Sequence, residues 1–345
     1  MARMTGRSHD TLNLMLHLMP LARRLINRFQ GGFPVTERPF LSIATALDSD
    51  EVTLIATLSQ LLAEGWLSRF GPLYDPERFG GAVTLAAVAA PADRLSEVVA
   101  QINALPAVAH HYQRDHDLNL WFVVATETPD GITQTLDRIT TETGLTPLNF
   151  PRQRAFYLGL WLELDEDGGV HTRPVPEAFR ASPAGVMTLD DTDRRLIAET
   201  QTGLPVTSRP YEDVAERLGL SGIEVCHRLT ALLASGVIRR IGLVPNHYRL
   251  GLKGNGMSVW DVPDEAAESV GVALGGCERV SHCYLRPRHV PDWPYNLFAM
   301  IHGRDRPEVE AEVTRLATWL GPQVRQHRVL FSQAILKKSG LRIAV

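Results

Sequence analysis

Apolar positions recur at helical spacing near the start of the chain and again in its middle. Leu25, Ile26 and Phe29 form the stripe of a short amphipathic helix, and Leu196, Ile197 and Thr200 occupy the same phases later. Pro34 and Pro39, like Pro205 and Pro210, end those helices, because proline cannot continue the backbone hydrogen-bond ladder. Ala44 and Leu47, matched by Ala215 and Leu218, predict a second short helix. A third carries Leu54, Ile55, Leu58, Leu61 and Leu62, matched by Val225, Cys226, Leu229, Leu232 and Leu233. Gly65 and Gly236 stop it. Residues 66–70 and 237–241 then read as a β wing, so each unit predicts a winged helix-turn-helix.

Beyond each wing the pattern alternates between periods. Strands are predicted over 83–89, 110–114, 120–125 and 155–160, with helices marked by Leu95, Val98, Val99 and Ile102 and by Ile132, Leu136 and Ile139. The second copy predicts strands over 257–260, 280–286, 297–301 and 329–331, with helices at Val270 and at Val309, Val313 and Leu316. This order is the ferredoxin-like βαββαβ unit. The repetition is literal. Displaced by 171 residues, Leu21 to Gly80 lie on Thr192 to Gly251 without a gap, RRLINRFQGGFPVTERPF falling on RRLIAETQTGLPVTSRPY. The expected fold class is therefore α+β, a tandem duplication whose halves pack as a pseudo-dimer. The expected boundaries are 10–71 (winged helix), 72–164 (ferredoxin-like), 165–187 (an exposed Pro- and Gly-rich linker), 188–242 (winged helix) and 243–345 (ferredoxin-like).

Composition narrows the function classes. With 44% hydrophobic and 21% charged residues and a net charge of −4, the 345-residue chain has no global basic field for nucleic acid. Three cysteines, Cys226, Cys277 and Cys283, form no CxxC pair, which argues against a disulfide framework and for a reducing cytoplasm. Residues 12–22 mimic a secretion signal weakly, but Asn13, His17 and Pro20 interrupt them, and no run has the length of a membrane span. No membrane partner is expected. A winged helix followed by a ferredoxin-like domain resembles the Lrp/AsnC transcription regulators, which raises DNA binding as one reading. The third helix speaks against it: Asp50, Glu51, Thr53, Thr57, Gln60 and Glu64 are read as its exposed residues in the first half, and only His227 and Arg228 carry basic character in the second.

The copies differ where chemistry concentrates. Pro76 stands opposite His247, while Arg78 and Arg249 are retained in both. His110, Tyr112 and Arg114 stand opposite His282, Tyr284 and Arg286 at spacings of two, which sends each trio to one face of its strand. Five extra residues then build the loop RPRHVPDWPYN, with Arg288, Trp293 and Tyr295. Alternation separates Cys283 from His282, so no dedicated metal site is expected.

At these residues the second half resembles the sirohaem decarboxylases of the Lrp/AsnC-like superfamily, the NirD, NirL, NirG and NirH proteins of haem d1 biosynthesis and AhbA and AhbB of the alternative haem pathway. The strings are GLPVTSRPY, GVIRRIGLVPNH, NGMSVWDVP, VSHCYLRPR, WPYNLF, MIHGR and LKKSG. The first half is similar to the NirD-type partner through GFPVTERPF, EGWLSRFGPLYDPERFGG and HHYQRDHDLNLWFV, so the whole resembles a fused NirD–NirL chain. The resemblance implies removal of CO2 from two acetate side chains of sirohaem, giving didecarboxysirohaem. It implies His247 and His282 as an acid pair, and Arg249, Arg286, Arg288 and Arg114 as carboxylate holders. Tyr284, Trp293, Tyr295 and His110 would line the pocket. With Pro76 in place of His247, the first half is not expected to hold a complete second site. The iron belongs to the substrate, so no separate cofactor is implied; a NirG/NirH-type partner or a homo-oligomer is. A non-catalytic tetrapyrrole-binding subunit and a regulator remain the alternatives.

Overall fold

The computed structural model describes residues 20–179 and 186–339; the signal-like stretch before Pro20 and the last residue of LKKSG lie outside them. The first half begins with α1 (Pro20–Arg28), α2 (Pro39–Ala46), α3 (Glu51–Ala63) and β1 (Leu67–Tyr74). It continues through β2 (Ala82–Val88), α4 (Leu95–Ala104), β3 (Val108–Arg114), β4 (Leu120–Thr126), α5 (Pro129–Thr143), β5 (Leu148–Pro151) and β6 (Arg154–Leu158). A hairpin of β7 (Trp161–Leu164) and β8 (Val170–Arg173) joins the halves. The second half repeats the order: α6 (Asp191–Thr200), α7 (Pro210–Leu218), α8 (Gly222–Ala234), β9 (Ile238–Pro245), β10 (Gly254–Asp261), α9 (Ala267–Gly275), β11 (Val280–Leu285), β12 (Leu297–Gly303), α10 (Arg306–Leu320) and β13 (Gln326–Lys338).

Local chemistry sets the helix ends. The Asp50 carboxylate accepts from the Thr53 N–H at 2.8 Å, and the Ser221 hydroxyl accepts from the Glu224 N–H at 3.2 Å, capping α3 and α8. The stripes Leu54, Leu58 and Leu61 and Val225, Leu229 and Leu232 are buried in one core shared by both three-helix units. Thr57, read as exposed, is buried instead, its hydroxyl donating to Thr53 O. The one arginine of α8, Arg228, pairs with Asp190, Asp193 and Glu224, so a phosphate backbone would compete with three carboxylates for it.

The wings do not fold back within their own units. β1 and β9 pair antiparallel with each other, and Gly71 faces Gly242 at the centre of a ribbon contributed equally by the two halves. Side chains are excluded at that axis: a Cβ on Gly242 would lie 2.5 Å from the Gln30 carbonyl carbon.

Among the described residues, nine strands form the main sheet, in the order β5-β2-β4-β3-β13-β10-β12-β11-β6. Each half contributes the antiparallel ferredoxin order, but the fourth strands are shared. β13 pairs with β10 over its first part and then crosses to β3, where Ser332 faces Arg114 and Lys338 faces His110. In the first half this long strand is broken after Pro151: β5 pairs with β2, and β6 pairs with β11, Leu158 facing His282. The last strand expected over 155–160 is thus the exchanged part alone. The strand that completes the first ferredoxin unit, β5, went unread because only four residues precede the break. β5 and β6 are consecutive in sequence yet stand at opposite ends of the sheet, so the sheet curls until its ends meet. Its outer face packs on α4 and α5 in one half and α9 and α10 in the other.

Segment 165–187, expected as an exposed linker, contains β8 and a 3-10 turn at Glu177–Phe179 among its described residues, and β7 leads into it. Leu162, Leu164 and Val170 of the hairpin join the helical core, and Phe179 stacks on Trp161 with centroids 5.6 Å apart. Gln30 donates to Leu162 O at 2.6 Å and accepts from its N–H at 3.0 Å, as a strand neighbour would. Apolar alternation in this stretch was hidden by the surrounding charge and proline. Among the described residues, no helix is long and apolar enough to cross a membrane.

Candidate active site

A cavity of about 350 Å³ lies on the inner face of the curled sheet, and both halves build it. From β3 come His110, Tyr112 and Arg114; from β11 and the residue after it come His282, Tyr284 and Arg286. Period-2 alternation sends each trio inward, as the spacing predicted. The two histidines therefore face one cavity rather than two sites. Trp121, Phe298, Val123, Met257 and Met300 supply apolar walls, and His247 and Tyr248 enter from the turn after β9. That turn is pinned to the first half: Asn246 donates from its backbone to Trp66 O and from its amide to Gly65 O. An adjoining chamber of about 510 Å³ shares His110, Val123 and Lys338 and adds Arg69 and Arg239. Among the described residues, no aspartate or glutamate lines either space.

Arg114 and Arg286 are both buried. Arg114 donates from Nη1 to Leu330 O at 2.7 Å, and Arg286 donates from Nη1 to Phe150 O. Their Nε atoms are buried without a partner. Neither arginine forms an ion pair among the described residues, and burial pushes both guanidinium groups down to about 10. They remain cationic at neutral pH. The side chains of Tyr112 and Tyr284 carry these cations on their ring faces, at 5.5 and 5.0 Å.

Burial acts on the histidines in the same sense. His247 and His282 are pushed down to about 3, His110 and His302 to about 4, chiefly by desolvation. Repulsion adds to it, from His302 when that ring is protonated and then from Arg239 and Arg286 for His282, and from protonated His302 and then Lys338 for His247. At neutral pH the protein's own groups hold these rings neutral. Carboxylates brought into the cavity would favour the charged rings and reverse the shift.

Four expected site residues lie elsewhere. Arg249 is exposed, its guanidinium 4.9 Å above the Trp66 ring, because it follows Tyr248 on the outer side of the turn. Arg288 is spent on the protein: it pairs with Asp261 and Asp264 and donates to Pro294 O and Val262 O. Pro287 takes the chain out of the strand, so the two-residue spacing no longer predicts direction. Trp293 is 1% exposed and packs on Trp121, Phe150 and Phe298, forming the hydrophobic floor behind the cavity wall. Tyr295 lies against Trp293 at 5.1 Å. The inserted loop is a plug between the halves, with His289 bonded to Asn149 O at 2.8 Å. Cys283 faces the helices, its thiol pushed up to about 12 by burial. Among the described residues, no group of three or more His, Cys, Asp or Glu is placed to hold a metal.

Sequence reasoning missed His302, Ser281, Asn255 and Lys338, all of which line the cavity. The strings NGMSVWDVP, VSHCYLRPR, MIHGR and LKKSG contain all four. Their direction follows only from the pairing of Asn255 with His302 across β10 and β12 and from the crossing of β13 to β3.

The arrangement suits an anionic, partly apolar ligand with several carboxylates: unpaired buried cations, aromatic and aliphatic walls, and imidazoles that can exchange protons with it. The description "AsnC-like ligand binding domain" matches residues 78–157 and 249–337, and "Siroheme decarboxylase NirDL-like HTH domain" matches residues 22–67 and 193–239. The sirohaem decarboxylase NirDL subunit of Paracoccus pantotrophus is 36% identical over 323 residues, covering 93% of this chain and 96% of that protein. The NirH subunit of the same organism is 54% identical over 154 residues, covering 45% of this chain and 96% of that one. A crystal structure of sirohaem decarboxylase NirDL in complex with an iron-uroporphyrin III analogue superposes with a TM-score of 0.68 at 27% identity, covering 96% of this chain and 94% of that one. The chain belongs to the sirohaem decarboxylase NirDL family.

Proposed function

We propose that this protein is a carboxy-lyase that removes CO2 from two acetate side chains of sirohaem to give 12,18-didecarboxysirohaem, in haem d1 or alternative haem biosynthesis. One observation carries the reading most directly: two buried arginines without carboxylate partners face a mostly apolar cavity that also holds neutral histidines. Arg114 and Arg286 bind substrate carboxylates through their free guanidinium edges, and Lys338 adds charge at the boundary with the second chamber. Trp121 and Phe298 cover the macrocycle. His247 and His282 exchange protons with the reacting side chain. In each step the bond between methylene and carboxylate breaks, CO2 leaves, the electron pair stays with the methylene carbon and its ring, and a proton completes the methyl group. Electrons balance without an oxidant or reductant. The protein works in the cytoplasm, alone, as a homo-oligomer, or with a NirG/NirH-type subunit.

His247→Ala and His282→Ala test the assignment. Each variant is expected to bind sirohaem, seen as a shifted Soret band, and to release CO2 at least a hundredfold more slowly, the scale of general acid catalysis. Unimpaired turnover in both variants overturns the site. A shifted band with unchanged substrate in the native protein identifies a tetrapyrrole-binding subunit instead.

A further inference from the structure

His282 sits at the end of a hydrogen-bonded chain of side chains. Its Nδ1 lies 2.7 Å from Ser281 Oγ, and Ser281 Oγ lies 2.6 Å from His302 Nε2. Nδ1 of His302 is bonded in turn to Asn255 Oδ1. The direction of every bond follows from the far end. Asn255 donates its amide N–H to Leu252 O at 3.0 Å, which leaves Oδ1 as the acceptor facing His302. His302 therefore carries its proton on Nδ1 and, being neutral, accepts at Nε2 from the Ser281 hydroxyl. The serine oxygen is then free to accept from His282 Nδ1–H. Neutral His282 is left with its lone pair on Nε2, the ring nitrogen that the chain does not use.

Backbone geometry makes the chain possible. Adjacent strand residues normally face opposite ways, but the pairing of β11 with β12 shifts register between Val280 and His282, with Ser281 at the irregularity. Asn255 and His302 are direct cross-strand partners. The first half keeps this backbone without the chemistry. Its β3–β4 pairing shifts between Val108 and His110, with Ala109 at the irregularity, and Val83 faces Ala125 where Asn255 faces His302. No side chain there can hydrogen-bond, and His110 Nδ1 is buried without a partner. Two histidines occupy equivalent places, and one of them is held.

We infer that Ser281, His302 and Asn255 are positioning residues that fix His282 as the Nδ1–H tautomer and reserve Nε2 for proton transfer with the ligand. The inference rests on the decarboxylase reading for its catalytic consequence and on hydrogen-bond direction for the tautomer. Substrate carboxylates in the cavity favour the charged ring, so Nε2 first takes up a proton from solvent. As the C–C bond breaks and CO2 departs, that proton passes to the methylene carbon and His282 returns to the neutral Nδ1–H tautomer its neighbours select.

Ser281→Ala tests it, because the first half already accepts alanine at the equivalent place. Sirohaem affinity from Soret titration is expected to stay within about twofold while kcat falls about ten- to a hundredfold, and Ser281→Thr restores kcat. Ring 15N spectra are expected to show His282 as Nδ1–H in the native protein and in Ser281→Thr, and a mixture of tautomers in Ser281→Ala. Unchanged kcat in Ser281→Ala, or loss of affinity and kcat together without rescue by threonine, overturns the positioning role. An Nε2–H tautomer in the native protein overturns the inference outright. If the native protein leaves sirohaem intact, the decarboxylase reading fails while the ring spectrum still decides the tautomer.

Discussion

Arg114 and Arg286 brace the two halves of the protein reciprocally. Arg114, at the end of β3, donates to Leu330 O on the second half's fourth strand, and Arg286, just past β11, donates to Phe150 O on the first half's fourth strand. Each guanidinium is thereby fixed by the opposite half, with an edge left for ligand. The planar fork matters here more than the charge. Arg286→Lys and Arg114→Lys are each expected to weaken sirohaem binding about tenfold or more, by spectrophotometric titration, since a charge-assisted hydrogen bond contributes about 1.5–3 kcal/mol. Affinity unchanged in both contradicts their role as carboxylate holders.

Arg288 and Arg249 separate structure from binding. Arg288 ties the inserted loop to Asp261 and Asp264, and Arg288→Ala is expected to lower unfolding free energy by about 2 kcal/mol in urea titrations. Arg249→Ala, at an exposed site, leaves sirohaem affinity and stability near native values. A large loss of affinity in Arg249→Ala would return it to the site.

Trp293 is a packing residue with one flaw. Its ring is enclosed by Trp121, Phe150 and Phe298, yet its Nε1–H is buried without a partner. Trp293→Ala is expected to destabilise by about 3–5 kcal/mol. Trp293→Phe removes the unsatisfied donor and stays within about 1.5 kcal/mol of native. Thermal or urea unfolding measures both, and equal damage from the two substitutions contradicts the packing role.

Neutral buried histidines impose a pH dependence. His302 is 6% exposed and is pushed from 6.5 down to about 4, so the unfolded chain binds more protons than the folded one between those values. Stability therefore rises with pH across this window and is lost as pH falls from about 6.5 towards 4, with His302 contributing up to about 1.4 kcal/mol per pH unit. His302→Gln lowers that slope in urea unfolding measured across the window, the other buried histidines keeping the remainder. An unchanged slope means that His302 titrates alike in both states.

Much of the fold could be read because the physics was local. The stripe Leu54, Leu58 and Leu61 and its copy Val225, Leu229 and Leu232 follow helical period, and His282, Tyr284 and Arg286 follow strand period. The duplication supplied the pseudo-symmetry now visible as Gly71 facing Gly242. What escaped depends on contacts between distant strands. Exchange of β6 and β13, which places His110 and His282 in one cavity, leaves no periodic trace. Arg288 kept the two-residue spacing of the inward trio, but Pro287 redirected the chain. The part played by His302 depends on Asn255 standing opposite it across β10 and β12, a pairing without a local signal.

A mass spectrum of sirohaem after anaerobic incubation with the purified protein distinguishes decarboxylation from binding alone. The expected product is lighter by two molecules of CO2 and forms without added oxidant or reductant. Sirohaem recovered at its original mass, with its Soret band shifted by binding, would contradict decarboxylation.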